Sequence, residues 1–119
     1  MSPIHHAISY IEFGAGDLPA TRAFYEAVFG WSFNDYGGAY AGIKDPAGDS
    51  ETGGFNPGAV PGSDGSPLVL IFADDLDATL AAVRAADGMI VAGPYEFPGG
   101  RRFEFTDPSG NRLGVFAEG

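Results

Sequence analysis

An internal repeat limits the folds open to this chain more than any other feature. Asp17-Leu18, Ala20-Thr21, Ala23 and Gly30 recur as Asp75-Leu76, Ala78-Thr79, Ala81 and Gly88, each 58 positions later. Asp45-Pro46-Ala47-Gly48 recurs as Asp107-Pro108-Ser109-Gly110, 62 positions later. The two offsets differ, so a small length change lies between the landmarks. Repetition on this scale means two copies of one supersecondary unit that share a core.

The pattern within each copy names its elements. Residues 4–13 are rich in β-branched and aromatic side chains and read as a strand. Asp17 is a helix N-cap, with Pro19 in the first turn. Ala20, Ala23, Phe24, Ala27 and Val28 form one apolar helical face, and Gly30 suits a left-handed terminator. Residues 31–34, 40–44 and 52–55 read as strands, with Asp45-Pro46-Ala47-Gly48 as a turn. The second copy repeats the order. A continuous apolar strand at 68–72 precedes a helix capped by Asp75, with Leu76, Leu80 and Val83 inside and Gly88 at its end. Strands follow at 90–92, 102–106 and 112–116. The expectation is one α+β domain over residues 1–119: a βαβββ module at about 1–56, a Gly/Pro/Ser-rich linker at about 57–66 and a second βαβββ module at about 67–119. Their strands are expected to form a curved mixed sheet around a central cleft.

Composition sets outer bounds. At 119 residues and 45% hydrophobic content the chain can bury a real core. No apolar run approaches the ~20 residues of a membrane span, and no basic-then-apolar leader opens the sequence, so a cytoplasmic protein without membrane contact is expected. The absence of cysteine excludes thiol catalysis, disulfides and Cys-based zinc sites. A formal net charge of −10 repels phosphate backbones, so no nucleic-acid partner is expected.

Three segments carry a family resemblance: GDLPATRAFYEAVFGW (16–31), FADDLDATLAAV (72–83) and FTDPSGNRLGVFAE (105–118). Together they resemble the vicinal oxygen chelate superfamily, which includes glyoxalase I, extradiol dioxygenases, fosfomycin-resistance proteins and bleomycin-binding proteins. The resemblance implies a cleft whose metal-dependent members hold a divalent ion with one ligand from the first strand and one from the last strand of each unit. By the family's spacing these positions are Tyr10 and Leu68 on the first strands, and Gly114 with its repeat mate Thr52 on the last strands. Divalent ions want carboxylate oxygens or imidazole nitrogens, and Leu68 and Gly114 offer no side-chain donor. No metal and no cofactor are therefore expected.

Other residues are candidates for chemistry. Tyr10 and Glu12 share one strand face, and a buried Glu12 could serve as a base or as an acceptor for a ligand donor, with Tyr10 as its acid. His6 and Glu12 stand six residues apart, roughly 20 Å at strand rise, too far for one ion. Arg101 and Arg102 open a strand and could meet a ligand carboxylate or phosphate, or simply form a solvated hairpin end. Phe103 and Phe105 share a face that could line an aromatic slot. The expected ligand-binding set is Tyr10, Glu12, Thr52, Leu68, Leu70, Phe103, Phe105 and Gly114, with Glu12 and Tyr10 the candidate catalytic pair. The function this implies is a metal-free, glyoxalase/bleomycin-resistance-like protein that binds a small apolar or aromatic molecule in a cleft, with a homodimer expected from the resemblance. The alternatives are a lyase, isomerase or dioxygenase with a displaced metal or cofactor-free site, and a protein-interaction module with a vestigial cleft.

Overall fold

The computed structural model describes residues 4–6, 8–62 and 66–118. The elements are β1 (Ile11–Gly14), α1 (Leu18–Phe29), β2 (Phe33–Asp35), β3 (Ala41–Lys44), β4 (Glu51–Asn56), β5 (Leu70–Phe72), α2 (Leu76–Ala85), β6 (Met89–Phe97), β7 (Gly100–Thr106) and β8 (Arg112–Ala117). This is the expected α+β fold of two βαβββ units. The strands form two four-stranded mixed sheets, ordered β1-β4-β3-β2 and β5-β8-β7-β6. In each, the first and last strands of the unit run parallel and the remaining neighbours antiparallel. No helix among the described residues is long and apolar enough to cross a membrane.

The helix starts follow the sequence signals. Asp17 and Asp75 each accept a bond from the backbone N–H three residues on, Ala20 and Ala78, at 3.1 Å. Gly30 ends α1 with φ 69°, the left-handed conformation that glycine adopts freely. The buried face of α1 differs from the expected one: Leu18, Thr21, Phe24 and Tyr25 are buried, whereas Ala23 and Ala27 are exposed. Tyr25 wins the inner position because its large ring buries more area than alanine and its hydroxyl finds a buried acceptor in Asp107. α2 stops at Ala85, and the left-handed residue beyond it is Asp87 (φ 67°), not Gly88. Gly88 answers a packing demand instead, since a Cβ there would lie 2.6 Å from Val83 Cγ1 and 2.8 Å from Phe24 Cε1.

Several strands depart from the expected bounds, β5 among them, which begins at Leu70 and leaves Leu68 ahead of it. β1 begins only at Ile11, so Tyr10 stands just ahead of it. β6 runs on to Phe97 and pairs Phe97 with Gly100 across a tight hairpin. The apolar face of each sheet joins both helices in one core. Phe33, Ala41, Ile43 and Phe55 come from the first sheet, and Phe103, Phe105, Leu113, Val115 and Ala117 from the second. Phe24 and Phe29 of α1 reach across to Phe105, with ring centroids 5.8 and 6.0 Å apart.

The second Asp-Pro-x-Gly segment is more than a turn. Asp107 is buried and accepts bonds from the Tyr25 hydroxyl (3.0 Å), the Asn111 side chain (3.0 Å) and the backbone N–H groups of Ser109 and Asn111 (both 2.9 Å). Asn111 also donates to the Gly14 carbonyl (2.7 Å) and accepts from the Gly62 N–H (2.9 Å). The last turn of the second unit thereby binds α1, the end of β1 and the linker. Burial pushes the Asp107 carboxyl up, against the four hydrogen bonds that hold it down.

Candidate functional site

Each sheet commits one face to the core, and strand alternation sends the remaining side chains to an open face. On the first sheet that face is polar. Glu12, Gly54, Gly42 and Asn34 are consecutive cross-strand partners. Tyr10, Tyr36 and Tyr40, from the strand ends, gather over this floor. The Tyr10 and Tyr40 hydroxyls lie 2.6 Å apart. Tyr40 donates to Glu12 (3.0 Å) and Tyr10 to Glu51 (3.3 Å). Tyr36 and Asn34 both donate to the other Glu51 oxygen, at 2.7 and 2.8 Å, and Asn56 completes the ring on Glu12 at 3.3 Å. Glycine leaves room for this network beneath: a Cβ on Gly54 would collide with the Tyr10 and Tyr40 hydroxyls, and one on Gly42 would displace the Glu51 carboxylate.

The electrostatics follow from these bonds. The Tyr36 hydroxyl, then Asn34, hold the Glu51 carboxyl below its ordinary value. Desolvation raises the hydroxyls of Tyr10 and, much further, Tyr40, and in Tyr40 the contacts with Tyr10 and Glu12 add to the effect. All three phenols keep their protons, Tyr36 through its bond to Glu51. The face therefore presents an ionised Glu51 carboxylate held by hydroxyl and amide donors.

The open face of the second sheet is aromatic and carries cations. Leu70, Gly114 and Glu104 are cross-strand partners, as are Phe72, Phe116, Arg102 and Tyr95. Phe116 meets Phe72 and Phe97 edge-on at 5.4 and 6.3 Å. Arg102 lies 5.2 Å from the Tyr95 centroid and 4.9 Å from that of Phe97. Tyr95 donates to Glu104 at 2.5 Å, and Arg112 holds the other Glu104 oxygen through Nε (2.9 Å) and Nη2 (2.8 Å). These contacts, the Tyr95 hydroxyl foremost, hold the Glu104 carboxyl below its ordinary value.

The expected site residues fall on these faces unevenly. Tyr10 and Glu12 meet on the first, with Glu12 exposed rather than buried. Leu68, Leu70 and Gly114 meet on the second, where a Cβ on Gly114 would lie 2.6 Å from Leu70 Cδ2 and 3.7 Å from Leu68 Cδ2. Thr52 does not belong to the set. Turn 45–50 is one residue longer than turn 107–111, closing Asp45 onto Ser50 where Asp107 closes onto Asn111. A β-bulge then leaves Thr52 unpaired and exposed between Glu51 and Gly53. The register mate of Gly114 is Gly54. Phe103 and Phe105 are likewise corrected: both are 0% exposed in the core, and Arg102 and Glu104 take the open face. Sequence reasoning missed Asn34, Tyr36, Tyr40, Glu51 and Asn56, although the polar steps Asn34/Tyr36 and Gly54/Asn56 carry the signal.

A divalent metal does not fit the positions the resemblance implies. Gly54, Leu68 and Gly114 have no side-chain donor, the room above Gly54 is filled by phenols, and that above Gly114 by Leu70. Among the described residues no group of three or more His, Asp or Glu side chains converges. His5 and His6 are exposed and stack on each other at 3.7 Å.

Residues 7–115 match the Glyoxalase/Bleomycin resistance protein/Dioxygenase superfamily. The chain belongs to this superfamily. It is 39% identical over 93 residues to proteins of Mycobacterium tuberculosis and Mycobacterium bovis named "Putative glyoxylase CFP32", covering 74% of this chain and 35% of theirs. It thus spans about a third of the length of these curated relatives. Among solved structures, a superfamily enzyme from Burkholderia phytofirmans PsJN superposes with a TM-score of 0.76 at 20% identity, covering 93% of this chain and 98% of that one. The antibiotic binding protein TnmS3 from Streptomyces sp. CB03234 gives 0.70 at 23% identity, with all of both chains covered. A lactoylglutathione lyase from Agrobacterium tumefaciens gives 0.69 at 22% identity, covering 98% and 96%. These three likenesses speak to the fold.

Proposed function

We propose that the protein is a metal-free member of its superfamily that binds a small aromatic or apolar molecule on its open sheet faces. The carrying observation is the filling of the implied metal positions by Tyr10, Gly54, Leu68 and Gly114, packed over by phenols and leucine. What these faces offer is apolar and aromatic area with a few directed polar groups, the usual make-up of a small-molecule site. The description of TnmS3 as an antibiotic binding protein is in keeping with this role. A homodimer belongs to the proposal, because a second copy set against these exposed faces would turn them into clefts. Its solution mass by light scattering tests that part. Elemental analysis after incubation with Ni, Mn, Zn and Fe(II) and gel filtration tests the central claim. The expected result is less than one-tenth of an ion per chain, on the order of adventitious binding. One retained ion per chain would overturn the metal-free reading.

A second reading is supported by the continuous relay Glu12–Tyr40–Tyr10–Glu51. A cofactor-free lyase or isomerase could use it to move a proton. Turnover that disappears in Glu12→Gln while folding persists would establish this reading in place of simple binding.

A further inference from the structure

We infer that the open face of the second unit is a subsite for the carboxylate of a small aromatic acid, with Arg102 as its anion-binding residue. The inference rests on the small-molecule reading above and names the ligand class that reading leaves open. Three independent observations converge on it.

The first is the state of the guanidinium. Arg102 is half-buried and clamped against the rings of Tyr95 and Phe97. Its Nε donates to the Tyr95 hydroxyl at 2.6 Å, whereas its two terminal nitrogens have no hydrogen-bond partner among the described residues. Stacking fixes the plane of the group and leaves its far edge as a fork of parallel donors, the shape that pairs bidentately with a planar carboxylate.

The second is charge. Glu104 shares the face and feels the Arg102 charge, but its two oxygens are bonded to the Tyr95 hydroxyl and to Arg112 rather than to Arg102. No carboxylate lies within ion-pair distance of Arg102 among the described residues. In a chain of formal net charge −10 this is a cation whose terminal nitrogens meet no carboxylate among the described residues. A polyanion such as nucleic acid would need several cations and would meet the acidic remainder of the surface. A monoanion needs just one.

The third is the wall beside the fork. Phe116 is the cross-strand partner of Arg102, and Phe72 and Phe97 flank it edge-on. Phe72 is 51% exposed, so the wall is open to solvent. Cross-strand neighbours stand roughly 5 Å apart, so a ring laid on Phe116 brings a directly attached carboxylate to the fork.

The test is isothermal titration of the purified chain with three probes of matched shape: 2-naphthoate, the neutral 2-naphthamide and the cationic 2-naphthylmethylamine. The expected result is that 2-naphthoate binds roughly tenfold or more tightly than either analogue, a preference weakened by salt. Arg102→Gln should abolish that preference and leave 2-naphthamide binding within twofold of wild type. Phe116→Ala should weaken both naphthoate and naphthamide while keeping their ratio. Circular dichroism confirms that each variant is folded, and the three-probe comparison on the wild type stands even if one is not. Equal binding of the three probes, or preference for the amine, would overturn the inference and leave the small-molecule reading standing. Retention of the naphthoate preference in folded Arg102→Gln would also overturn it. No binding of any probe would overturn both.

Discussion

Asn111→Ala should be among the most damaging single substitutions in this chain. The side chain is 1% exposed and makes three hydrogen bonds: to the Gly14 carbonyl, the Asp107 carboxylate and the Gly62 N–H. Truncation removes all three and strands their partners where water has little access. Net bonds contribute about 1 kcal/mol each, and one of these engages a carboxylate, so the loss should be about 3–5 kcal/mol. A domain of this kind has about 5–15 kcal/mol in total. With a urea slope near 2 kcal/mol/M, the unfolding midpoint should fall by about 2 M. Asn111→Asp should do no better, although it is nearly isosteric. It replaces the donor facing Gly14 and Asp107 with an acceptor and sets a second carboxylate beside the first. The assay is urea denaturation followed by Trp31 fluorescence and far-ultraviolet circular dichroism. A loss below about 1 kcal/mol for Asn111→Ala, or wild-type stability for Asn111→Asp, would refute the claim that this amide clamps the two units together.

Other consequences can be measured on the same preparation. Burial, with the Asp107 charge behind it, holds the Tyr25 hydroxyl well above its ordinary value near 10. A raised folded value means that its contribution is complete below pH 10 and is lost as pH rises through the folded value. Alkaline unfolding should therefore track Tyr25 ionisation, and Tyr25→Phe should flatten the stability profile above pH 10. The lowered Glu51 carboxyl should rise towards its ordinary value in Tyr36→Phe and, by less, in Asn34→Ala, as read from carboxyl carbon chemical shifts during acid titration. Gly14→Ala drives a methyl into the backbone of Ala59, Val60 and Pro61, and should cost about 1–3 kcal/mol in thermal or urea unfolding. Gly42→Ala meets only the movable end of Glu51 and should cost less, while releasing Glu51 from Tyr36.

The sequence made the helices and the unit order legible because local chemistry sets them. Asp17 and Asp75 cap, Gly30 terminates, and the strands between carry the right residue types. Faces were harder to read. Alternation says that Phe103 and Phe105 point one way and Arg102 and Glu104 the other, but not which way is inward. The hydrophobic effect decides it, giving the phenylalanines to the core and the polar residues to the open face. Thr52 shows a different limit. A longer turn and a bulge each add one residue between the Asp45 landmark and the strand, and two single steps restore the face while changing the residue. Asn34, Tyr36, Tyr40, Glu51 and Asn56 come together through register: the polar steps along each strand mark a shared face, but not which strands meet.

The clamp around Asp107 and Asn111 also bears on how the chain reaches its native state. Tyr25 meets Asp107 across 82 positions, Thr21 meets Ser109 across 88, and Gly14 meets Asn111 across 97. Closing loops of that length is entropically expensive, and chains dominated by distant pairings search slowly. The α1–turn contacts need residues 107–111, which lie near the end of the sequence. During synthesis α1 must therefore wait, with Phe24 and Phe29 lacking Phe105 and the Tyr25 hydroxyl lacking Asp107, until the last strands of the sequence have emerged. That interval is when the chain is most open to aggregation.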